Sequence, residues 1–389
     1  MRVRVVTSLY PGAPRPFEGI FAERRWLGMR ARGHEVRVLH PQPRTFWPLS
    51  LAYAEIHRMP REELRAGIAV RRPRYTHLPG RALGNAERFA RCALAHLDLL
   101  SDRERPDVVV CDYAWPASAL APYLAERGVP CVVSGRGSDV LEVAGEAGLA
   151  APLARNLRAA GHWCGVSAEL VETMDRLAQR PGRGVLVPNG VDTQLFAPRE
   201  RAAARRELGR ASDEPWVLVV GHLIARKDPA LALEAFRRAG LERARLFFLG
   251  RGPLAGELGR RIGEAGLAQR VELVGEVSPE DLARWYAAAH AVLLTSRREG
   301  RPNVVLEALA SGRPVVATAA GGTAEVVADE RMLVRSRDPA ELGARLAALV
   351  ADPPGPAALA ASVAHLSWAA SLDALEALLE AAVAEHAVA

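Results

Sequence analysis

The sequence predicts an α/β protein made of two tandem, Rossmann-like, doubly wound domains whose strand ends face a common cleft. Three observations predict it. Short apolar runs bounded by turns alternate with helical patterns along the whole chain. The alternation runs through one set of strand candidates, breaks at a Pro-Asn-Gly, and then runs through a second set. At 389 residues the chain is long enough for two cores of ordinary size.

In the first half the strands are expected at "VRVVT" (3–7), "EVRVLH" (35–40), "DVVVC" (107–111), "PCVVS" (130–134) and "GVLVP" (184–188). Between the first two, "FEGIFAERRWLGMRARG" sets Phe17, Ile20, Phe21, Arg24 and Leu27 at helical spacing and closes on Gly33. The second half offers "WVLVVG" (216–221), "ARLFFLG" (244–250), "RVELVG" (270–275), "AVLLTS" (291–296) and "PVVAT" (314–318), each followed by a helix-compatible segment. The stretch "LVPNGVDTQLFAPRE" links the halves, giving domains at 1–188 and 189–365. The Ala-rich tail after Pro356 reads as helical, with about 366–389 returning to the first domain.

Composition narrows the function classes. Apolar residues make up 49% of the chain and mean hydropathy is near zero, as in a globular rather than a disordered protein. No apolar run approaches the roughly 18 residues that a membrane span needs. The start, "MRVRVVTSLYPG", reads as a strand and not as a secretory signal, so the expected location is cytoplasmic, with peripheral contact at the inner membrane face. Cys92, Cys111, Cys131 and Cys164 form no CxxC pair, and Cys111 and Cys131 read as small core residues. The net charge is +6, yet residues 1–110 hold 20 Arg against 11 Asp and Glu, or +9, leaving about −3 for the rest. Such a surface suits an anionic membrane or substrate, or is simply solvated. No nucleic-acid motif accompanies it.

Among 51 Lys and Arg residues, Lys227 in "GHLIARKD" is the only lysine. Chance is one explanation. The other is a site that needs a compact, mobile point charge, such as one holding phosphate. The densest motif is "SRREGRPNVVLEALASGRPVVAT" (296–318), with Glu299 and Glu307 eight residues apart. Pro302 suits the first turn of a helix, so free backbone N–H groups would cluster near 301–304 and favour a diphosphate. Glu307 could accept from a ribose diol and Glu299 from sugar hydroxyls; a capped helix with two solvated carboxylates is the plain alternative. Gly250 with Gly252 and Gly275 end successive strands, where small residues let a nucleotide approach the backbone.

In this order the segments resemble the retaining, nucleotide-sugar-dependent transferases of glycosyltransferase family 4, which have the GT-B fold. The resemblance covers nearly the whole chain. It runs from "PFEGIFAERRWLGMRARGHEVRVLHP" through "GRGSDV" (135–140), "GVSAEL" (165–170), "VPNGVD" (187–192) and the 296–318 motif with "GG" at 321–322, to "LSWAASLDALEALL". The opening "SLYPG…GIFAERR" is most similar to transferases that build bacterial surface polysaccharides. The resemblance implies that Lys227 holds the donor diphosphate, Glu307 the ribose and Glu299 the transferred sugar. Gly19 would let the acceptor domain close over the phosphates. Family members often carry Arg at the position of His222, and here Arg226 would supply the second cation. Many carry His where this chain has Arg136, which stays charged and could bind phosphate or an acidic sugar. Asp139 reads equally as a turn residue and as a sugar contact. The catalytic set is therefore Lys227, Glu299, Arg226, Asp139 and Arg136. The nucleotide set is Gly19, Gly221, His222, Gly252, Gly275, Gly300, Arg301, Pro302, Asn303 and Glu307.

The expected activity is transfer of a hexose from a nucleotide sugar, a co-substrate rather than a cofactor, to a glycan or polyprenyl-lipid-linked acceptor. No metal is expected, since no Asp-x-Asp or HExxH pair occurs. The alternatives are a non-catalytic sugar-nucleotide binding protein or another enzyme of this fold, such as a sugar-nucleotide epimerase. The segment 43–65, with Phe46, Trp47, Leu49 and Tyr53, reads as an ordinary helix, or as an acceptor-side lip at the membrane.

Overall fold

The computed structural model describes residues 1–45, 51–99 and 104–388. The chain divides into two compact units, Met1–Asn189 with Trp368–Ala389, and Gly190–Ser367. Phe46, Trp47 and Leu49 lie outside the described residues, as does the side chain of Tyr53.

The strands of the first unit are β1 (Arg2–Thr7), β2 (Glu35–Leu39), β3 (Gln42–Arg44), β4 (Glu62–Arg65), β5 (Ile68–Arg71), β6 (Arg74–Thr76), β7 (Val108–Asp112), β8 (Cys131–Gly135), β9 (Gly161–Gly165) and β10 (Val185–Leu186). Eight of them form one sheet in the order β10-β9-β8-β7-β1-β2-β5-β4. Every pairing is parallel except the β4–β5 hairpin. That hairpin turns through Ala66 and Gly67, both at positive φ. Strands β3 and β6 pair separately.

Both faces of this sheet are covered, so its central strands read as continuous apolar runs. On β7, Val108 and Val110 face one core while Val109 and Cys111 face the other. The first of these cores takes in the helix Ile20–Ala31 and the C-terminal helix Trp368–Val388, whose Leu372, Leu375 and Leu379 repeat at helical spacing. The helix Pro356–Val363 stays with the second unit instead, packing Leu359 and Val363 into that core.

Two local expectations change. The first helix starts at Ile20 rather than Phe17, and it buries Ala22, Glu23, Arg25, Trp26 and Met29. Hydrophobic spacing selects the neighbouring face because the buried one carries two charged residues with partners of their own: Glu23 pairs with Arg65, and Arg25 is held as described below. The segment expected at 184–188 shortens to two strand residues.

The second unit holds β11 (Trp216–Val220), β12 (Arg245–Leu249), β13 (Val271–Gly275), β14 (Ala291–Leu294), β15 (Val315–Thr318) and β16 (Leu333–Val334). All pairings are parallel, in the order β13-β12-β11-β14-β15-β16. Counted from β11, this is the 3-2-1-4-5-6 order of doubly wound dinucleotide folds. It places a topological switch between β11 and β14, where a crevice forms beyond the strands' carboxyl ends. Among the described residues no single helix is long and apolar enough to cross a membrane. A bent pair, Pro339–Ala351 with Pro356–Val363, meets that test by composition, but its leucines lie in the core of this unit.

Candidate active site

The loops leaving β11 and β14 meet at the switch point of the second unit. After β11 the chain turns at Gly221, φ 136°, a left-handed conformation that suits glycine. It then reaches Lys227 and Asp228 just before the helix Pro229–Arg238, which Asp228 caps by accepting from the Leu231 N–H. Thr295 Oγ1, after β14, donates to the carbonyls of Lys227 and Asp228 at 3.1 and 2.9 Å. The Arg297 N–H donates to the Arg226 carbonyl at 2.8 Å. Asp228 also accepts from Arg297 and Arg337, at 2.7 and 2.6 Å. These bonds tie the backbone of residues 226–228 to the loop after β14.

Lys227 Nζ donates to Glu299 Oε1 at 2.5 Å, and Ser296 Oγ donates to the same oxygen at 2.5 Å. Arg226 Nη1 stands 3.6 Å from the other oxygen, Oε2. Burial by itself would raise the Glu299 carboxyl, but Lys227, Ser296 and Arg226 together hold it below the usual carboxylate range. Two cations flank one carboxylate, so the cluster keeps a net positive charge. The structure therefore brings together Lys227, Arg226 and Glu299. His222 lies exposed on the same loop.

Past Glu299, Gly300 and Arg301 are buried and lead to the helix Asn303–Ala310. Pro302 is its N-cap rather than its first helical residue, one position earlier than expected, and supplies no side-chain cap. Arg301 is buried, with the Glu325 carboxylate 3.9 Å away; burial lowers its pKa, and its Nε has no hydrogen-bond partner among the described residues. Glu307, one turn into the helix, accepts from Tyr286 Oη at 3.1 Å. Burial, with Glu307 adding to it, pushes the Tyr286 phenol well above its ordinary value, so it remains a donor.

The glycines divide. A Cβ on Gly250 would overlap the Gly221 carbonyl oxygen, and one on Gly252 would overlap that of Leu223. The sequence reads this space as room for a nucleotide, but the protein's own loop fills it. Gly275 differs: its Cβ would meet open space, and only its φ of 89° asks for glycine. Gly19, φ 79°, is the left-handed N-cap of the helix Ile20–Ala31 and packs on Leu9.

In the first unit, Arg136 and Asp139 do not stand open to a ligand. Arg136 Nε and Nη2 donate to the two oxygens of Asp112, each at 2.8 Å, and Nη1 donates to Asn189 Oδ1 at 2.9 Å. Arg25 shares that Asn189 oxygen at 3.3 Å and donates to the Val187 carbonyl at 3.0 Å. Trp26 Nε1 donates to Asp112 at 2.8 Å. Burial, then the neighbouring Arg136, lowers Arg25 to about 9. Asp112 stays below the usual range, because the two guanidiniums outweigh its burial. Asp139 accepts from the N–H groups of Ala114, Arg136 and Gly137, at 2.5, 3.0 and 2.7 Å. Its placement is that of a turn-holding residue. Burial pushes it up to about 6 against the pull of those donors.

Sequence reasoning overlooked Ser296, Thr295, Asp228, Tyr286, Asp112 and Arg25. Only Asp112 carried a usable signal, as an acid ending a strand next to the expected switch point.

Residues 27–195 match the family described as Glycosyltransferase Family 4, and residues 200–364 match Glycosyl transferases group 1. The chain is 28% identical over 343 residues to TuaC of Bacillus subtilis (strain 168), a protein named for glycosyl transfer in teichuronic acid biosynthesis. That match covers 86% of this chain and 85% of TuaC. It is 35% identical over 235 residues to a D-inositol 3-phosphate glycosyltransferase of Geodermatophilus obscurus, covering 57% of this chain and 52% of that protein, about half its length. Among solved structures, a sucrose-phosphate synthase from Thermosynechococcus elongatus aligns with a TM-score of 0.79 at 22% identity, covering 99% of this chain and 100% of that one. HepE of Anabaena in complex with UDP aligns at 0.69 and 18%, covering 98% and 100%. At these identities the structural likeness speaks to fold. With each half of the chain matched by a glycosyltransferase family model and a doubly wound parallel sheet in each unit, the chain is a family 4-like glycosyltransferase with the GT-B fold.

Proposed function

We propose that this glycosyltransferase is a retaining hexosyltransferase. In this reading it takes sugar from a nucleotide-sugar donor and passes it to a glycan or polyprenyl-lipid-linked acceptor, in surface polysaccharide synthesis at the inner face of the membrane. The observation that carries the reading is the Lys227–Glu299 pair, flanked by Arg226, at the switch point of the second unit. HepE was solved with UDP and with UDP-glucose, and starch synthase IV of Arabidopsis thaliana with ADP. TuaC's name places that relative in teichuronic acid biosynthesis.

The chemistry follows from charge. As the bond between the anomeric carbon and the diphosphate breaks, positive charge grows on the sugar and negative charge on the leaving phosphate. Lys227, Arg226 and the amino end of the helix Asn303–Ala310 meet that negative charge, and they stabilise the transition state more than the ground state. An ammonium has three N–H donors, so Lys227 can keep Glu299 while turning to phosphate oxygens. Glu299 accepts from the sugar's hydroxyls, and Glu307, oriented by Tyr286, accepts from the ribose. The acceptor hydroxyl attacks on the face that the diphosphate leaves. Its proton passes to the departing phosphate oxygen, and the anomeric configuration is retained.

The test is incubation with a panel of nucleotide sugars and a lipid-linked oligosaccharide, reading nucleoside diphosphate release and the product's anomeric coupling by NMR. An anomer matching the donor, formed equally well with EDTA present, is the expected result. An inverted product, or activity lost on chelation, contradicts the reading.

A further inference from the structure

The amino ends of β14 and β15, the edge of the second unit away from Lys227, carry a basic cluster of their own. Arg201 and Arg205 lie on the helix Arg201–Glu207, His290 just before β14 and Arg313 shortly before β15. Arg201 Nε donates to the Ala289 carbonyl and Arg205 Nε to that of Ala288, each at 3.2 Å. Arg205 Nη1 donates to the Ser212 carbonyl, and its Nη2 reaches the Glu214 carbonyl at 2.9 Å and His290 Nδ1 at 3.3 Å. Arg313 Nη2 donates to the carbonyl of Arg199, two residues before Arg201, at 2.8 Å. These bonds gather the four side chains between the short helix and the strand ends. Arg205 and Arg313 are buried, only 3% and 4% exposed, while Arg201 and His290 are half-buried.

Guanidiniums taken out of water call for counter-charge, because an unpaired buried charge is costly. Among the described residues none of these three arginines forms an ion pair with a carboxylate; their acceptors are main-chain carbonyls and one ring nitrogen. The acids nearby are engaged elsewhere or exposed. Glu200 accepts from the N–H groups of Ala202 and Ala203, Glu214 from Ser212 Oγ, and Glu207 pairs with Arg199 and Arg284, while Asp213 is exposed. The cations therefore act on one another. Burial, then Arg201 and Arg205, lowers Arg313 to about 10; burial, then Arg201, lowers Arg205 to about 10. Burial and all three arginines hold His290 neutral, at about 3. Donors are also left over. Arg313 Nε is buried without a partner, and Arg313 Nη1 and both Nη groups of Arg201 make no hydrogen bond among the described residues. His290 Nδ1 accepts from the Trp216 N–H at 3.1 Å, so the neutral ring carries its proton on Nε2. Excess positive charge and unused donors in one place are both answered by an oxyanion.

We propose that Arg201, Arg313 and His290 form an anion site, separate from the donor site, that takes a phosphate group. Guanidinium forks match phosphate oxygens in paired hydrogen bonds, and a phosphate offsets most of the excess charge. Arg201 joins the short helix to the end of the helix Pro279–Ala288, and Arg313 joins the chain before β15 to Arg199. Bound phosphate would tie these segments together and stabilise the second unit by mass action. Inorganic phosphate and a phosphomonoester present the same chemistry.

The test is calorimetric titration of the full chain with inorganic phosphate and, separately, with glucose 6-phosphate, at an ionic strength fixed with sodium chloride. Lys227→Ala is titrated beside wild type, so that phosphate held at the donor site is told apart. The expected result is one ligand bound per chain in Lys227→Ala, at least tenfold more weakly in K227A/R201Q, with the tighter of the two ligands naming the source. K227A/R313Q should show the same loss. A cooperative thermal transition reports that each variant is folded, and the half-buried Arg201 gives the decisive variant if the buried Arg313 cannot be replaced. Three results overturn the proposal. Saturable binding of neither ligand to any form would leave the arginines as caps on main-chain carbonyls. Binding by wild type that vanishes in Lys227→Ala would place the phosphate at the donor site. Equal affinity in Lys227→Ala and K227A/R201Q would remove Arg201 from the site. No nucleotide sugar enters these titrations, so their outcome is independent of the transferase reading.

Discussion

Lys227 Nζ and Glu299 Oε1 lie 2.5 Å apart although 72 residues separate them in the chain. The sheet order makes this possible: β11 and β14 are neighbours, so the loops that follow them share one edge. The carboxylate is buried yet held ionised, and the energetics of such a pair are asymmetric. Removing one partner strands the other, and the loss exceeds the net worth of the bond.

Glu299→Gln should therefore destabilise the protein by about 1–3 kcal/mol at neutral pH. The carboxyl is held below the usual range, so the pair's contribution is complete above that range and fades only as pH falls through the lowered value. Denaturant unfolding of wild type and variant should give a constant gap from pH 8 to about 5 that closes at more acid pH. A gap that closes between pH 7 and 5 would contradict this.

Asp112→Asn tests the role assigned to the first unit's buried cluster. The substitution leaves Arg136 and Arg25 without their carboxylate in a site where Asp112 is fully buried. The expected cost is about 3–5 kcal/mol, seen as a large drop in denaturation midpoint. If Asp112→Asn is as stable as wild type, the cluster does not hold this unit together.

The glycines give a paired prediction. Gly250→Ala places a methyl against the Gly221 carbonyl at φ 143°, so it should be severely destabilised, by roughly 3 kcal/mol or more. Gly275→Ala meets no atom and bears only the strain of a φ of 89°, about 1–2 kcal/mol. Thermal unfolding of the two variants should rank them in that order, and the reverse ranking would restore the nucleotide explanation for Gly250.

Much of the fold was legible because β-branched runs such as "VRVVT" and "WVLVV" sit at the centres of covered sheets. Strand β9, "GHWCG", was invisible: it has no β-branched residue, and its place is fixed by pairing with β8. Strand β5, "IAVR", is apolar but only four residues long, and β4, "EELR", and β6, "RYT", carry little apolar signal. The Lys227–Glu299 contact was readable because each residue lies in a contiguous motif that follows a strand of the second unit. Arg25, Asp112, Arg136 and Asn189 come from four distant segments. No spacing rule joins them, and only the sheet does.

The central claim is that the edge of the second unit, with its only lysine, grips a diphosphate. Calorimetric titration of wild type, Lys227→Ala and Lys227→Arg with UDP, GDP and ADP tests it most directly. At least one nucleotide should bind wild type and bind Lys227→Ala at least thirtyfold more weakly, about 2 kcal/mol, with Lys227→Arg restoring only part of the loss. Equal nucleotide affinity in wild type and Lys227→Ala, or no binding of any nucleotide to wild type, would contradict it.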